Sequence, residues 1–498
     1  MVQRFLAATA VILGCASCST ISPAKSTRPN IVLIIADDIA WDDIGPEGNP
    51  KVQAPNIDRL AAEGMWCDRA FLTIASCSPS RSSIISGRYP HNTDAEQLHW
   101  PLPGSTPTFV DALRKAGYWT AAAGKWHLGS EIKEHFDVVH EADVSGYQIP
   151  PGSKGGFAHT MKGEIASGCD QWLPTLESRP KDKPFFLWLA SLDAHRPYYP
   201  GIIPKPHTLS DVALPPYLVD IPEIRQDFAL YYDEITRFDG YLGRVMDELE
   251  KQGVADNTLL LFISDNGRPF PRDKVTLYDS GIKTPFYLRW PAKVQKGSKT
   301  SSLISSIDIA PTLLDVAGVT PQRSFVGKSF LPILQNPAAT TRSYAFAEKH
   351  WHDYDDQIRA VTNGRFKYLR NYYTEFPNTP SADGVRSPVF QKMLELKKAG
   401  TLPSHQMGFF THPRPAEELY DCEADQYELK NLADDPAHAG VLATMRAQLA
   451  DWRARTGDKL PTKRTLDEFD RLTGIATDAR VRPRRSKAQM IKEGMLGR

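Results

Sequence analysis

The chain has 498 residues, enough for two to four domains or for one large α/β domain with a smaller appendage. Apolar residues make up 41% and charged residues 24%, an ordinary globular balance, and 59 Lys and Arg offset 59 Asp and Glu. Zero net charge excludes attachment to nucleic acid by bulk positive charge, and the composition excludes extended disorder.

The N-terminus reads as an export signal. Arg4 supplies a positive start, and Phe5 to Leu13 is apolar except for Thr9, too short to span a bilayer. The run ends Ile12-Leu13-Gly14-Cys15, which resembles a bacterial lipobox. That likeness implies a signal peptide over 1–14, a lipid anchor on Cys15 and a small-residue tether over 15–28. The protein is then expected in the periplasm or on the outer membrane of a bacterium, touching membrane only through that anchor. An ordinary secreted protein cleaved nearby is the alternative. Cys18, Cys67, Cys77, Cys169 and Cys422 remain, an odd number that flags a thiol with chemistry to do.

Further along, four short apolar runs have the length of buried parallel strands: Ile31–Ala36, Trp119–Ala123, Phe185–Ala190 and Leu259–Ile263. Between and beyond them, helical patterns cover 57–63, 108–116, 231–252 and 307–318. This alternation predicts a large, mostly parallel sheet flanked by helices over 29–340. Past about Thr340 the pattern changes. Segments 358–361, 366–369 and 418–420 are strand-like, Asn363-Gly364 is a hairpin signal, and 441–456 reads as a helix. A smaller antiparallel α+β subdomain is expected over 341–460. A basic tail follows over 461–498, with seven basic residues and one acidic residue from Arg480 onward.

Each of the four runs leads into chemistry-bearing residues. The first ends in Asp37-Asp38, the second runs into Lys125 and His127, the third into His195, and the fourth into Asp265-Asn266. In open α/β sheets, ligands bind beyond the carboxyl ends of the strands. Asp37, Asp38, Asp265 and Asn266 are oxygen donors that suit a hard divalent cation, although Asp also starts ordinary turns. Lone histidines and lysines such as Lys125, His127 and His195 are commonly solvated or satisfied side chains. In Cys77-Ser-Pro-Ser-Arg81, Pro79 suits an early helix position, which puts Cys77 at a helix N-terminus with Arg81 one turn on. Both features stabilise an anion, unless Cys77 is a buried structural thiol.

Cys-Ser-Pro-Ser-Arg followed by Ser86-Gly87-Arg88 resembles the signature of type I sulfatases, in the alkaline-phosphatase-like superfamily. Gly124-Lys-Trp-His-Leu-Gly129 matches the second signature. The opening Arg28-Pro29-Asn30 through Asp38, Ser264-Asp265-Asn266-Gly267, Ile307 to Leu314, Glu418-Leu-Tyr-Asp421 and Asn431-Leu432 match as well. The resemblance implies that Cys77 is oxidised by a maturation enzyme to Cα-formylglycine. It implies a metal site of Asp37, Asp38, Cys77, Asp265 and Asn266, with calcium as the usual ion and magnesium as the alternative. Arg81 matches the residue that holds the aldehyde hydrate, Lys125 and His127 the basic pair, and His195 the sulfate-binding histidine. The segment 268–274 is most similar to the sulfamidase-like branch, which places one further basic role on Lys274, with Arg272 and Lys283 as competitors. Asp279-Ser-Gly-Ile-Lys-Thr-Pro285 departs from the family's usual Glu-Gly-Gly-x-Arg-Val-Pro.

The implied chemistry is attack of a hydrate hydroxyl on sulfur, assisted by the metal and Asp265. His195 or Lys125 protonates the leaving group, and His127 takes the proton that lets sulfate depart. The implied substrate is a sulfated oligo- or polysaccharide, cleaved at an ester or sulfamate. His99, Trp100, His350, Trp351 and His352 are candidates for a sugar subsite. Two other readings are a phosphodiesterase or phosphonate monoester hydrolase of the same superfamily, and an inactive glycan-binding lipoprotein.

Overall fold

The computed structural model describes residues 28–143 and 167–481. The expected signal peptide, the Cys15 anchor, Cys18 and the tail beyond 481 lie outside these residues. No helix among the described residues is long and apolar enough to cross a membrane.

The chain up to Ser264 contributes β1 (Asn30–Ala36), β2 (Met65–Cys67), β3 (Ala70–Phe71), β4 (Trp119–Gly124), β5 (Val138–Glu141), β6 (Phe185–Ala190) and β7 (Thr258–Ser264). After them come β8 (Phe286–Arg289), β9 (Ser298–Thr300) and β10 (Ile304–Ser305). Eight of these form one sheet in the order β5-β4-β6-β1-β7-β8-β2-β9, and β8 alone runs against the others. The expected mostly parallel sheet is thus observed.

β1 shows why both faces are covered. Val32, Ile34 and Ala36 point into one apolar cluster, and Ile31, Leu33 and Ile35 into the other. The first cluster takes in helices Pro55–Glu63, Trp172–Ser178 and Pro222–Lys251, and the second helices Cys77–Ser86, Phe109–Lys115 and Ile309–Val316. Each large apolar side chain fully buried this way contributes roughly 1.5–3 kcal/mol. The helix expected over 231–252 starts earlier, at Pro222, because Ile224 and Phe228 extend the same buried stripe and proline suits a first turn. Thr108 caps its helix by accepting from Asp111 N at 3.2 Å.

The second sheet is antiparallel, β11 (Ala345–Lys349), β12 (Ile358–Thr362), β13 (Phe366–Asn371) and β14 (Glu417–Asp421), in that order. The Asn363-Gly364 turn joins β12 to β13, with Gly364 at φ 92°. One face packs on Phe71, Leu72 and Ile282; the other takes Leu442, Met445, Leu449 and Trp452 of helix Ala439–Thr456.

One feature departs from the sequence reading. Between β13 and β14 the chain forms helices Ala382–Arg386 and Pro388–Lys398, and Val389, Phe390 and Met393 join the first cluster of the large sheet. The C-terminal part therefore closes back on the catalytic part. The early part of the expected tail is also fixed. Trp351 Nε1 donates to Leu466 O at 3.1 Å, and Asp355 N to Asp467 Oδ1 at 2.8 Å.

Candidate active site

The strands β4, β6, β1 and β7 are adjacent and parallel, so their carboxyl ends share one sheet edge. Asp37 and Asp38 follow β1, Lys125 follows β4, His195 lies past β6, and Asp265 and Asn266 follow β7. The backbones meet closely there: a Cβ on Gly124 (φ 100°) would lie 1.8 Å from Ala190 O. Asp38 (φ 63°) and His127 (φ 57°) occupy left-handed backbone, which is costly for residues other than glycine and is held by the surrounding structure.

Cys77 opens the helix Cys77–Ser86, every residue of which is buried. Its Sγ donates towards Asn266 Oδ1 at 3.5 Å and Asp37 Oδ1 at 3.7 Å. Burial, opposed by Lys125 and Lys274, pushes the thiol well above its ordinary range, so it stays protonated. One turn on, Arg81 holds Asp265 Oδ2 through Nε at 2.9 Å and Nη2 at 2.8 Å, with both side chains fully buried. Lys125 pairs with Asp37, and Lys274 Nζ lies 2.8 Å from Asp38.

Three buried carboxylates thus face three buried cations. Burial opposes charge on Asp37, but Lys125, His195, Arg81 and Lys274 hold it well below the usual carboxylate range. Asp38 and Asp265 go the other way: burial raises both, and the neighbouring aspartates add to it. A divalent cation relieves such repulsion, and the donors suit one. Ligand atoms of Asp37, Cys77 and Asp265 all lie within 4.8 Å of one another. Asn266 turns its Nδ2 to Asp38 and to Gly267 O (2.9 Å), which leaves its carbonyl oxygen towards Cys77. This oxygen-rich set fits calcium, which takes six to eight ligands, or magnesium.

His195 donates from Nδ1 to Arg196 O at 2.6 Å, so the neutral ring presents the lone pair of Nε2, 4.0 Å from Asp38 Oδ2. Burial, then Lys274, lowers its pKa to about 4. His127 is also held neutral, by burial and by His99, whose Nδ1 lies 2.7 Å from His127 Nε2.

Of the competitors for the last basic role, only Lys274 enters the site. Arg272 is spent on Glu428 O (2.5 Å) and lies over the Tyr278 ring, while Lys283 lies over the Trp41 ring. The subsite candidates divide. His99 lies against His127, and His352 Nδ1 contacts Ser76 Oγ at 2.7 Å, next to Cys77. Trp100 and Trp351 are buried, and His350 is bound to Glu348 at 2.8 Å. Cys67, Cys169 and Cys422 are free thiols outside the cluster. Asp383 escaped the sequence reading. It stands on the short helix Ala382–Arg386, no motif marks it, and its Oδ2 lies 3.9 Å from His195 Nε2.

The comparisons with known proteins agree with this geometry. The sulfatase family model matches residues 29–319, and a model of the C-terminal part of N-sulphoglucosamine sulphohydrolase matches residues 270–379. An ulvan-active sulfatase of Formosa agariphila is 30% identical over 482 residues, covering 89% of this chain and 78% of the relative. Human N-sulphoglucosamine sulphohydrolase is 29% identical over 485 residues, covering 89% and 93%. In fold, the chain resembles a protein solved with its substrate D-glucosamine-2-N,6-O-disulfate, with a TM-score of 0.65, 22% identity and coverage of 87% and 99%. The phosphonate monoester hydrolase of Agrobacterium radiobacter gives 0.65, 20%, 86% and 96%. The family model spans more than half of the chain and the ulvan-active relative most of it, and on that ground the chain belongs to the sulfatase family.

Proposed function

We propose that this sulfuric ester hydrolase removes sulfate from a sulfated carbohydrate, as an ester or a sulfamate, using formylglycine at position 77 and a divalent cation, calcium by preference. The observation that carries the reading is Cys77 itself. It sits at a buried helix N-terminus between the acceptor oxygens of Asp37 and Asn266, with a thiol held protonated and so a poor nucleophile. Conversion by a maturation enzyme would supply an oxygen nucleophile there. A cation held by Asp37, Asp38, Asp265, Asn266 and residue 77 would supply Lewis-acid charge on that oxygen and on the sulfate.

The chain's own residues account for the rest. Arg81 is locked on Asp265, so it fixes that carboxylate and adds a stationary positive charge at the site. Lys125 and Lys274 stay charged: burial works against them, but Asp37 beside one and Asp38 beside the other outweigh it. They offset the charge gained on the sulfate oxygens. Of the two candidate proton donors, Lys125 carries a proton in the resting site, whereas His195 is neutral with Nε2 unprotonated. Lys125 is therefore ready to protonate the leaving oxygen or nitrogen, and His195 can take that role when a bound anion offsets the Lys274 charge. His127, neutral, is fit to accept a proton.

Relatives named for ulvan and for N-sulphoglucosamine support the carbohydrate class. The export signal and Cys15 anchor belong to the same proposal and rest on residues 1–28; radiolabelled palmitate incorporation that Cys15→Ala abolishes is the expected result. The central test is mass spectrometry of the Cys77 peptide after co-expression with a maturation enzyme, paired with release of inorganic sulfate from defined saccharides. Aldehyde at position 77 with sulfate release is expected, and Cys77→Ser abolishes turnover. Wild-type turnover by Cys77→Ser overturns the proposal. Chelation followed by dialysis is expected to abolish activity, with calcium restoring it more fully than magnesium.

A further inference from the structure

We propose that Asp383 is a substrate-binding residue that reads the group next to the scissile sulfate, accepting a hydrogen bond from a hydroxyl or amine hydrogen there. The inference rests on the carbohydrate-sulfatase reading and deepens it.

The residue is built into place. Its helix, Ala382–Arg386, buries Ala382 and Val385 in the same cluster as Phe390. Ala382 N donates to Asp353 Oδ2 at 2.9 Å, and Arg386 Nη1 to Gly474 O at 2.8 Å. The Asp383 side chain is 8% exposed, and its buried Oδ2 accepts no hydrogen bond from the described residues. A buried carboxylate oxygen without a donor costs stability, a cost that a donor arriving with a ligand would offset. Burial opposes its charge, yet Lys274, His195 and a hydrogen bond with Ser381 hold it ionised, well below the usual carboxylate range.

Position and charge then define what it can meet. Side-chain exposure rises from Asp38 (0%) through Asp383 (8%) to His195 (19%). An incoming ligand therefore reaches His195 and Asp383 before Asp38. Sulfate offers only acceptor oxygens and negative charge, so a carboxylate is not its ligand; Lys125, Lys274 and His195 serve that role. Asp383 is complementary instead to an O–H or N–H on the atom flanking the sulfate, such as a free ring hydroxyl or amine of a sugar. By like-charge repulsion it also disfavours a second sulfate at that neighbouring position.

Two chromogenic esters that differ by one hydroxyl beside the sulfate, 4-nitrophenyl sulfate and the nitrocatechol ester 2-hydroxy-4-nitrophenyl sulfate, isolate this contact at a pH where that hydroxyl keeps its proton. In the matured, calcium-loaded enzyme, Asp383→Ala is expected to lower the nitrocatechol to nitrophenyl ratio of kcat/KM by roughly 10- to 100-fold relative to wild type, the range for a hydrogen bond to a charged acceptor. Asp383→Asn keeps the size and one acceptor oxygen, and is expected to lose less; it also carries the test if the alanine variant does not fold. Calorimetric Kd values for the two esters on the Cys77→Ser background are expected to shift in the same ratio. An equal fall on both esters means that the carboxylate acts only through His195 or Lys274, and overturns the inference, as does a wild-type ratio. Release of inorganic sulfate from defined saccharides by the wild type checks the sulfatase reading separately. Its absence from all of them, with no turnover of either aryl ester, overturns that reading, and this inference with it.

Discussion

Lys274 is the sharpest single-residue case. Its ammonium lies 2.8 Å from Asp38 and is almost wholly buried, whereas Arg272 and Lys283 stack on aromatic rings elsewhere. Lys274→Ala removes a charge that faces the sulfate and leaves Asp38 uncompensated. We expect kcat/KM to fall roughly 100- to 1000-fold, the usual loss for one transition-state donor, and Lys283→Ala to stay near wild type. Steady-state kinetics on one sulfate ester decides this. The residues after the four central strands were legible in the sequence because each follows an apolar run directly, and parallel strands bring such positions together. Asp383 was not legible. It reaches the site from a short helix of the C-terminal part, where neither spacing nor periodicity marks it.

At the scale of elements, the helix Pro55–Glu63 borrows its cap. Ala54 has no side chain with which to cap, and Asp239 of the helix Pro222–Lys251 accepts from Ile57 N at 2.7 Å and Asn56 N at 3.0 Å. Asp239→Ala is expected to cost about 1–2 kcal/mol, measured by urea unfolding. Burial, against those N–H groups, pushes the Asp239 carboxyl up to about 6. Between about pH 4 and about pH 6 the folded chain then keeps a proton that the unfolded chain has released. This residue's contribution to stability therefore falls as pH rises through that window, by at most about 3 kcal/mol. In Asp239→Asn the unfolding midpoint should vary less with pH across the same window. Among elements, strand length decided what the sequence disclosed. β1, β6 and β7 are six or seven residues of nearly unbroken apolar chain. β2 and β9 have three residues each, and β9 reads Ser-Lys-Thr, so only pairing with neighbours makes them strands. The helix Pro388–Lys398 carried a readable start, since Ser387 accepts from Phe390 N at 3.2 Å and Pro388 follows it.

For the whole molecule, the change of pattern near residue 340 marks a change of architecture rather than a place to cut. Arg342 is paired with Asp308 across it, and Arg359 grips Asp458 through two hydrogen bonds of 2.8 and 2.9 Å. Phe390 lies in the first cluster beside Phe409 and Phe410. Phe390→Ala should cost about 3–5 kcal/mol and shift one common transition, seen alike by tryptophan fluorescence and circular dichroism. A chain ending at residue 340 should fail to give soluble folded protein, judged by yield and gel filtration, because it bares the apolar face that Pro388–Lys398 covers.

The burial of Cys77 also sets an order of events in time. The thiol is 3% exposed, its helix is covered on every side, and the residue before it is tied by its hydroxyl to His352, far along the chain. On the proposed maturation, an enzyme that oxidises Cys77 would have no route to it once that helix has docked and the last third of the chain has closed over it. The proposed modification would then have to outrun folding. A chain that folded first would be not a slow precursor of the active protein but a dead end, stable and silent.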